Sequence, residues 1–423
     1  MRAAGLGVDV IFFGGARPES LEDDELTKGL EGRQFMRPLR ILMVEPVTGS
    51  GDWHYANMLS SALADEGVDV RLATLFPFEP VPSPRSVPII SMGPKPPVVA
   101  WPHLVSAQRA LYHVAKMRAL HRVILELQPD IVHFQRPLGI LDFAYFRRIR
   151  GLGPRIVYTI HTPLPPQIGR VARARLRQVD LILTHALRTK KQLMESGLPE
   201  LKIKKILHGN YLHLCRPSDL SPGEARRLLG LPADARVILF FGTIEWRKGL
   251  DRLIEAFAIL ARRDQGLYLL IAGYPNEDFG PYERRMFSLG VRERVVVNLR
   301  WIAYSEMQEY FNAASIVALP YRRISQSGII QLAYAYARPV VVTDVGGIGE
   351  VVSEDGTGVI AKSEDVAGIA EAIQVLLSDP ERAARMGQRG RDLAGTKYAW
   401  PGVARQVVGF YRMVHAVNGD RPA

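Results

Sequence analysis

One cysteine, Cys215, stands alone among 423 residues, so an internal disulfide framework and any zinc site built on cysteine ligands are excluded. No apolar run approaches the ~20 residues that a membrane-crossing helix needs. The longest, such as Val237–Phe241 and Leu267–Ala272, have the length of buried strands. Residues 1–36 carry acids and lack an apolar core ending in a small-residue cleavage site, so no secretory signal is expected and the chain is expected to stay in the cytoplasm. Zinc-finger, RNA-recognition and helix-turn-helix patterns are also absent, which removes nucleic acid from the expected partners. What is present is ordinary globular material: 47% of residues are apolar and 23% charged, over a length that supports two hydrophobic cores.

The formal charge of +11 is unevenly spread. Residues 37–214 hold 24 Lys and Arg against 12 Asp and Glu, residues 215–423 hold 26 against 24, and residues 1–36 hold 4 against 7. A basic field confined to one half attracts phosphates and anionic headgroups. The segment Ala107–Leu127 sets Arg109, Lys116, Arg118 and Arg122 among Leu111, Val114 and Leu120, and Arg147, Arg148 and Arg150 follow. That pattern suits either an interfacial surface on anionic lipid or a plain solvated helix face.

Residues 1–36 show little periodicity and read as a poorly ordered extension. Beyond them short aliphatic runs alternate with amphipathic helical segments, the rhythm of βαβ units and parallel sheets. The expected strands of the first half are Arg40–Glu45, Val68–Thr74, Ile131–Phe134, Ile156–Ile160, Leu181–Thr184 and Lys205–Leu207, with helices at His54–Glu66 and Ala107–Leu127 among them. Residues 75–103, rich in proline, read as a long irregular loop. The rhythm restarts with Val237–Phe241, Tyr268–Ala272, Val295–Asn298, Ile316–Leu319, Val340–Thr343 and Gly358–Ala361. The expected fold class is therefore α/β, two doubly wound Rossmann-like domains over 37–213 and 214–398, with ligand bound in the cleft between them.

Two segments carry most of the chemistry. In Phe240-Phe-Gly-Thr-Ile-Glu-Trp-Arg-Lys-Gly249 a buried strand runs into a glycine turn and a helix. Gly242 allows close approach of a ligand, and Arg247 and Lys248 sit where a helix N-terminus adds positive field, a place for a diphosphate. The alternative is that both are solvated loop charges. Downstream, Ser325-Gln326-Ser327-Gly328 opens a small-residue helix, and a further strand after Arg338-Pro339 feeds a Gly346-Gly347 loop that leads to Glu350. Ser325, Ser327 and the amides around Gly328 can hold phosphate oxygens by the same physics; otherwise each glycine loop only closes a turn.

These blocks, with Pro129-Asp-Ile-Val-His-Phe134, Val157-Tyr-Thr-Ile-His-Thr-Pro163 and His208-Gly-Asn-Tyr211, resemble glycosyltransferase family 4, of the GT-B fold, over roughly residues 38–415. The resemblance implies retaining transfer from a nucleoside-diphosphate sugar with no required metal or other cofactor, in a cleft whose second domain holds the nucleotide and whose first holds the acceptor. It also implies a terminal helix, 399–417, packed back on the first domain. Lys248 matches the family's phosphate-contacting lysine. Where a basic partner usually precedes it this chain has Thr243 and Glu245, leaving Arg247 as the nearest substitute. The family's Glu-x7-Glu pattern is absent, Ser325, Gln326 and Leu332 occupying that region.

The remaining candidates follow from position. Gly49, Gly51, Asp52 and His54 form a glycine-rich turn after the first strand, either a tight βα turn or a loop under the donor diphosphate. His161 follows a strand end and is expected to donate to a sugar hydroxyl or developing charge. His208 and Asn210 begin the crossing between halves and are expected to line the cleft. The catalytic set expected is thus His161, Arg247 and Lys248, and the donor set Gly242, Lys248, Ser325, Gln326, Ser327, Gly328, Gly346, Gly347 and Glu350. The expected function is hexose transfer from a UDP- or GDP-sugar to a lipid-linked or polysaccharide-precursor acceptor, on or near an anionic membrane surface. The alternative is a non-catalytic or epimerase-like protein that binds sugar nucleotides.

Overall fold

The computed structural model describes residues 37–47, 50–75, 82–92, 105–136, 142–165, 167–215, 220–362 and 365–416. The extension expected over 1–36 lies outside them. From Leu39 onward the chain forms one compact unit containing two parallel sheets. The first has strands β1 (Arg40–Val44), β2 (Asp69–Thr74), β3 (Ile89–Ser91), β4 (Ile131–Phe134), β5 (Arg155–Ile160), β6 (Leu181–Thr184) and β7 (Ile203–Lys205), in the order β3-β2-β1-β4-β5-β6-β7. The second has β8 (Arg236–Phe241), β9 (Leu267–Ala272), β10 (Val295–Asn298), β11 (Ile316–Leu319), β12 (Val340–Thr343) and β13 (Gly358–Ala361), in the order β10-β9-β8-β11-β12-β13.

Near-continuous apolar strands arise because both faces of each sheet are covered. Ile41 and Met43 enter one core and Leu42 and Val44 the opposite one. In the second sheet Val237, Leu239 and Phe241 point one way and Ile238 and Phe240 the other. The segment expected as one irregular loop contains β3, whose Ile89, Ile90 and Ser91 extend β2 at the sheet edge. A three-residue strand is too short to show a period. β7 begins at Ile203, two residues before the expected Lys205, because Ile203 is the fully buried side chain there.

The helix Trp400–Ala416 sends Trp400, Val403, Val407, Val408 and Tyr411 into the core of the first sheet, beside the helix Gly51–Asp65. The outgoing and returning crossings are laced together. Asn210 N–H donates to Tyr398 O (2.9 Å), Asn210 Nδ2 to Ala394 O (2.7 Å) and Trp400 Nε1 to Asn210 O (2.9 Å). Among the described residues no helix is long and apolar enough to cross a membrane.

Candidate active site

Each sheet reverses strand order once beside its first strand, between β1 and β4 and between β8 and β11. Loops leaving adjacent strand ends part there in opposite directions and leave a crevice. The two crevices open into one cavity of about 500 Å³, lined by residues after β1, β4 and β5 on one side and after β8, β9, β10 and β11 on the other. That volume lies within the range of small-molecule sites.

On the wall from the second sheet, Gly242 follows β8 at φ 105°, and a Cβ there would come within 3.1 Å of Lys248 Nζ. Arg247 and Lys248 lie in a single 3-10 turn, Trp246–Lys248, and Gly249 at φ 67° starts the helix Leu250–Ala261. Lys248 is 8% exposed, and its Nζ donates to Thr243 Oγ1 at 2.8 Å. Burial, with Arg247 adding to it and Glu245 opposing, brings its ammonium down to about 8. Arg247 pairs with Glu245 at 2.6 Å, while its Nη1 is buried without a hydrogen-bond partner. Ser327 caps the helix Gly328–Ala335 by accepting from Ile329 N–H, and Gln326, Ser327 and Gly328 all line the cavity. Gly328 has no room for a side chain, since a Cβ would sit 2.8 Å from Tyr211 Oη.

On the opposite wall, Ser50 caps the helix Gly51–Asp65 by accepting from Trp53 N–H, and Gly51 and Asp52 open that helix toward the cavity. Asp52 pairs with Arg136 at 2.5 Å. Beneath them Glu45 is fully buried. Burial first, then Asp52, lifts its carboxyl to about 8, against Arg136 at 3.7 Å and a hydrogen bond from Val47 N–H. His161 follows β5, and its Nε2 lies 2.7 Å from Gln135 Oε1, an acceptor, so the ring proton is on Nε2. Burial, then His208 and Arg136, brings His161 down to about 3, and the ring is neutral. Its Nδ1 has no hydrogen-bond partner and lies 3.9 Å from Asp52 Oδ1. The expectation that His161 donates into the cleft is corrected: its N–H is already engaged, and Nδ1 is the acceptor left over.

His54 lies in the cavity wall, stacked on Tyr211 with ring centroids 4.4 Å apart, and neither ring nitrogen has a hydrogen-bond partner. His208 also lines the cavity, and its Nδ1 donates to Gly209 O at 2.9 Å. Burial brings it down to about 4.

Several expected residues are placed elsewhere. Gly49 lies outside the described residues. Asn210, Ser325, Gly346, Gly347 and Glu350 are not among the residues lining the cavity. Asn210 is consumed by the laced crossings. Ser325 Oγ donates to the carbonyl of His161. A Cβ on Gly346 would overlap Ile324 O, and one on Gly347 would sit 2.5 Å from Ala186 Cβ. These glycines allow chain to approach chain. Glu350 accepts from the backbone of Leu187 and Arg188, across the seam between the halves.

Residues the sequence reading did not assign to the site also line the cavity: Arg136, Tyr211, Tyr304, Tyr274 and a Trp301 that is 45% exposed. Arg136 was reachable, because it lies two residues past the end of β4, at a strand end beside a switch point. The aromatic residues come from loops and carry no spacing signal.

The family described as "Glycosyl transferases group 1" matches residues 223–393, and "Glycosyltransferase Family 4" matches residues 50–209. A D-inositol 3-phosphate glycosyltransferase of Corynebacterium urealyticum is 32% identical over 206 residues, 47% of this chain and 48% of that relative, so the match spans about half of its length. Sucrose-phosphate synthase of Thermosynechococcus elongatus aligns with a TM-score of 0.72 at 21% identity over 90% of this chain and 100% of that one. Anabaena HepE in complex with UDP-glucose aligns with a TM-score of 0.67 at 16% identity over 88% and 99%. Two parallel sheets, a cavity at both switch points and two family matches that between them span most of the chain lead to one conclusion: this protein belongs to the glycosyltransferases of the GT-B fold.

Proposed function

We propose that the chain transfers a hexose, with retention, from a UDP- or GDP-sugar to a lipid-linked or polysaccharide-precursor acceptor, without a metal. The observation that carries this reading is Lys248, a buried cation in the cavity wall whose hydrogen bond goes to a neutral hydroxyl. With Arg247 Nη1 and the amide of Gly328 it supplies fixed positive groups for a departing diphosphate. The neutral His161 offers Nδ1 to a hydroxyl of the donor sugar. The UDP-glucose held by Anabaena HepE supports the donor class.

The acceptor enters, in this reading, from the basic first half. Val114, Arg118, Arg122 and Leu125 are exposed at helical spacing on Val105–Leu127, a mixed apolar and cationic face that suits an anionic membrane surface on the cytoplasmic side. Leu120, expected on that face, is instead buried in the core. A second reading, a sugar-nucleotide binder without turnover, is favoured by Leu332 and Gln326, which line the cavity in the region of the family's paired acids.

Donor hydrolysis across UDP-, GDP- and ADP-sugars, with and without EDTA, tests the proposal. Release of nucleoside diphosphate from one hexose donor, undiminished by EDTA, is expected. Tight nucleotide binding with no turnover on any donor or acceptor would leave the second reading, and interconversion of free sugar nucleotides would indicate an epimerase.

A further inference from the structure

The helix Leu187–Glu195 starts at the end of β6 in the first half, and its N-cap position is Ala186, which has no side chain able to accept a hydrogen bond. Its first amides are satisfied from the other half of the molecule. Glu350 Oε2 accepts from Leu187 N–H at 2.9 Å and Oε1 from Arg188 N–H at 2.8 Å. A carboxylate at a helix start also meets the positive end of the helix dipole. Beside it the Arg188 guanidinium donates to Asp344 O at 3.2 Å and lies 3.4 Å from its carboxylate. Gly347 lets the two segments come this close, and its N–H donates to Ser325 O at 2.8 Å. Ser325 in turn binds the carbonyl of His161, whose ring lines the cavity. The connection runs from Glu350 to both walls of the site without entering it.

We propose that Glu350 is a positioning residue: by capping a helix of the opposite half, it holds the two cavity walls at the separation that transfer requires, and it does not touch the donor. The proposal rests on the transferase reading above. A cap shared between two halves is present only when they are in register, so it selects the closed arrangement from the open ones. Reacting groups held on opposite walls lose rate steeply when displaced, by about 100-fold for an ångström.

The test compares wild type, Glu350→Ala, Glu350→Gln and Arg188→Ala. UDP and GDP affinity is measured by calorimetry, donor hydrolysis by steady-state kinetics, and the radius of gyration by small-angle scattering. Glu350→Ala is expected to keep nucleotide affinity within about twofold of wild type, to lower kcat about tenfold, and to enlarge the radius of gyration. Glu350→Gln, which keeps one acceptor oxygen, is expected to recover part of kcat. Should Glu350→Ala fail to fold, Arg188→Ala loosens the same exposed seam and is expected to lower kcat about threefold with affinity unchanged. A tenfold loss of nucleotide affinity in Glu350→Ala would place the residue on the donor and overturn the proposal, as would an unchanged kcat. If the wild type neither binds nor hydrolyses any donor, the transferase reading fails. Scattering then still decides the role of Glu350, an unchanged radius refuting it and an enlarged one supporting it.

Discussion

Lys248 presents its ammonium to the cavity after losing most of its hydration, and this loss sets what it can do with pH. Its pKa is brought from the usual lysine range to about 8, so the residue is charged below that pH and neutral above it. A bound diphosphate restores the charged form by direct attraction. Nucleotide affinity should therefore weaken as pH rises through about 8, by about tenfold between pH 7 and pH 9. Calorimetry across that range checks this, and Lys248→Arg, charged throughout, should show no such fall. The cation itself was legible from its place after a strand and a glycine turn. Its burial was not, because that depends on Tyr321 arriving from the end of β11, the strand beside β8.

The strands β10, β11, β12 and β13 fall where apolar runs bounded by glycine or polar residues put them. β3 escaped because three residues at a sheet edge carry no period. Glycines were legible as punctuation and not as purpose. Gly242 and Gly328 lie on the cavity, whereas Gly346 and Gly347 serve contacts of chain with chain, and all four look alike in sequence. Gly249 adopts φ 67°, and a Cβ would press on Pro320 O, while Gly51 at the first turn of its helix has open space around it. Gly249→Ala should therefore cost about 2–3 kcal/mol of stability, and Gly51→Ala should change it by less than about 0.5 kcal/mol. Denaturant unfolding of both variants measures the difference.

Two repeats of one topology were legible from the alternation of runs, since each repeat supplies a parallel sheet with both faces covered. How they meet was not. The seam consists of single residues from each half, Glu350 on Leu187 and Arg188 and Ser325 on His161, and of Asn210 tying the crossings. Such contacts join positions 162 to 190 residues apart, and no local pattern encodes them. Because the seam holds the halves together, both switch points open on a single cavity, and the transferase reading depends on their convergence. A crystal structure of the chain with UDP or GDP, whichever binds tighter, tests it most directly. The expected result is a diphosphate within hydrogen-bonding distance of Lys248 Nζ and the Gly328 amide, facing the start of the helix Gly51–Asp65. A nucleotide bound elsewhere, with Lys248 still held only by Thr243, would contradict it.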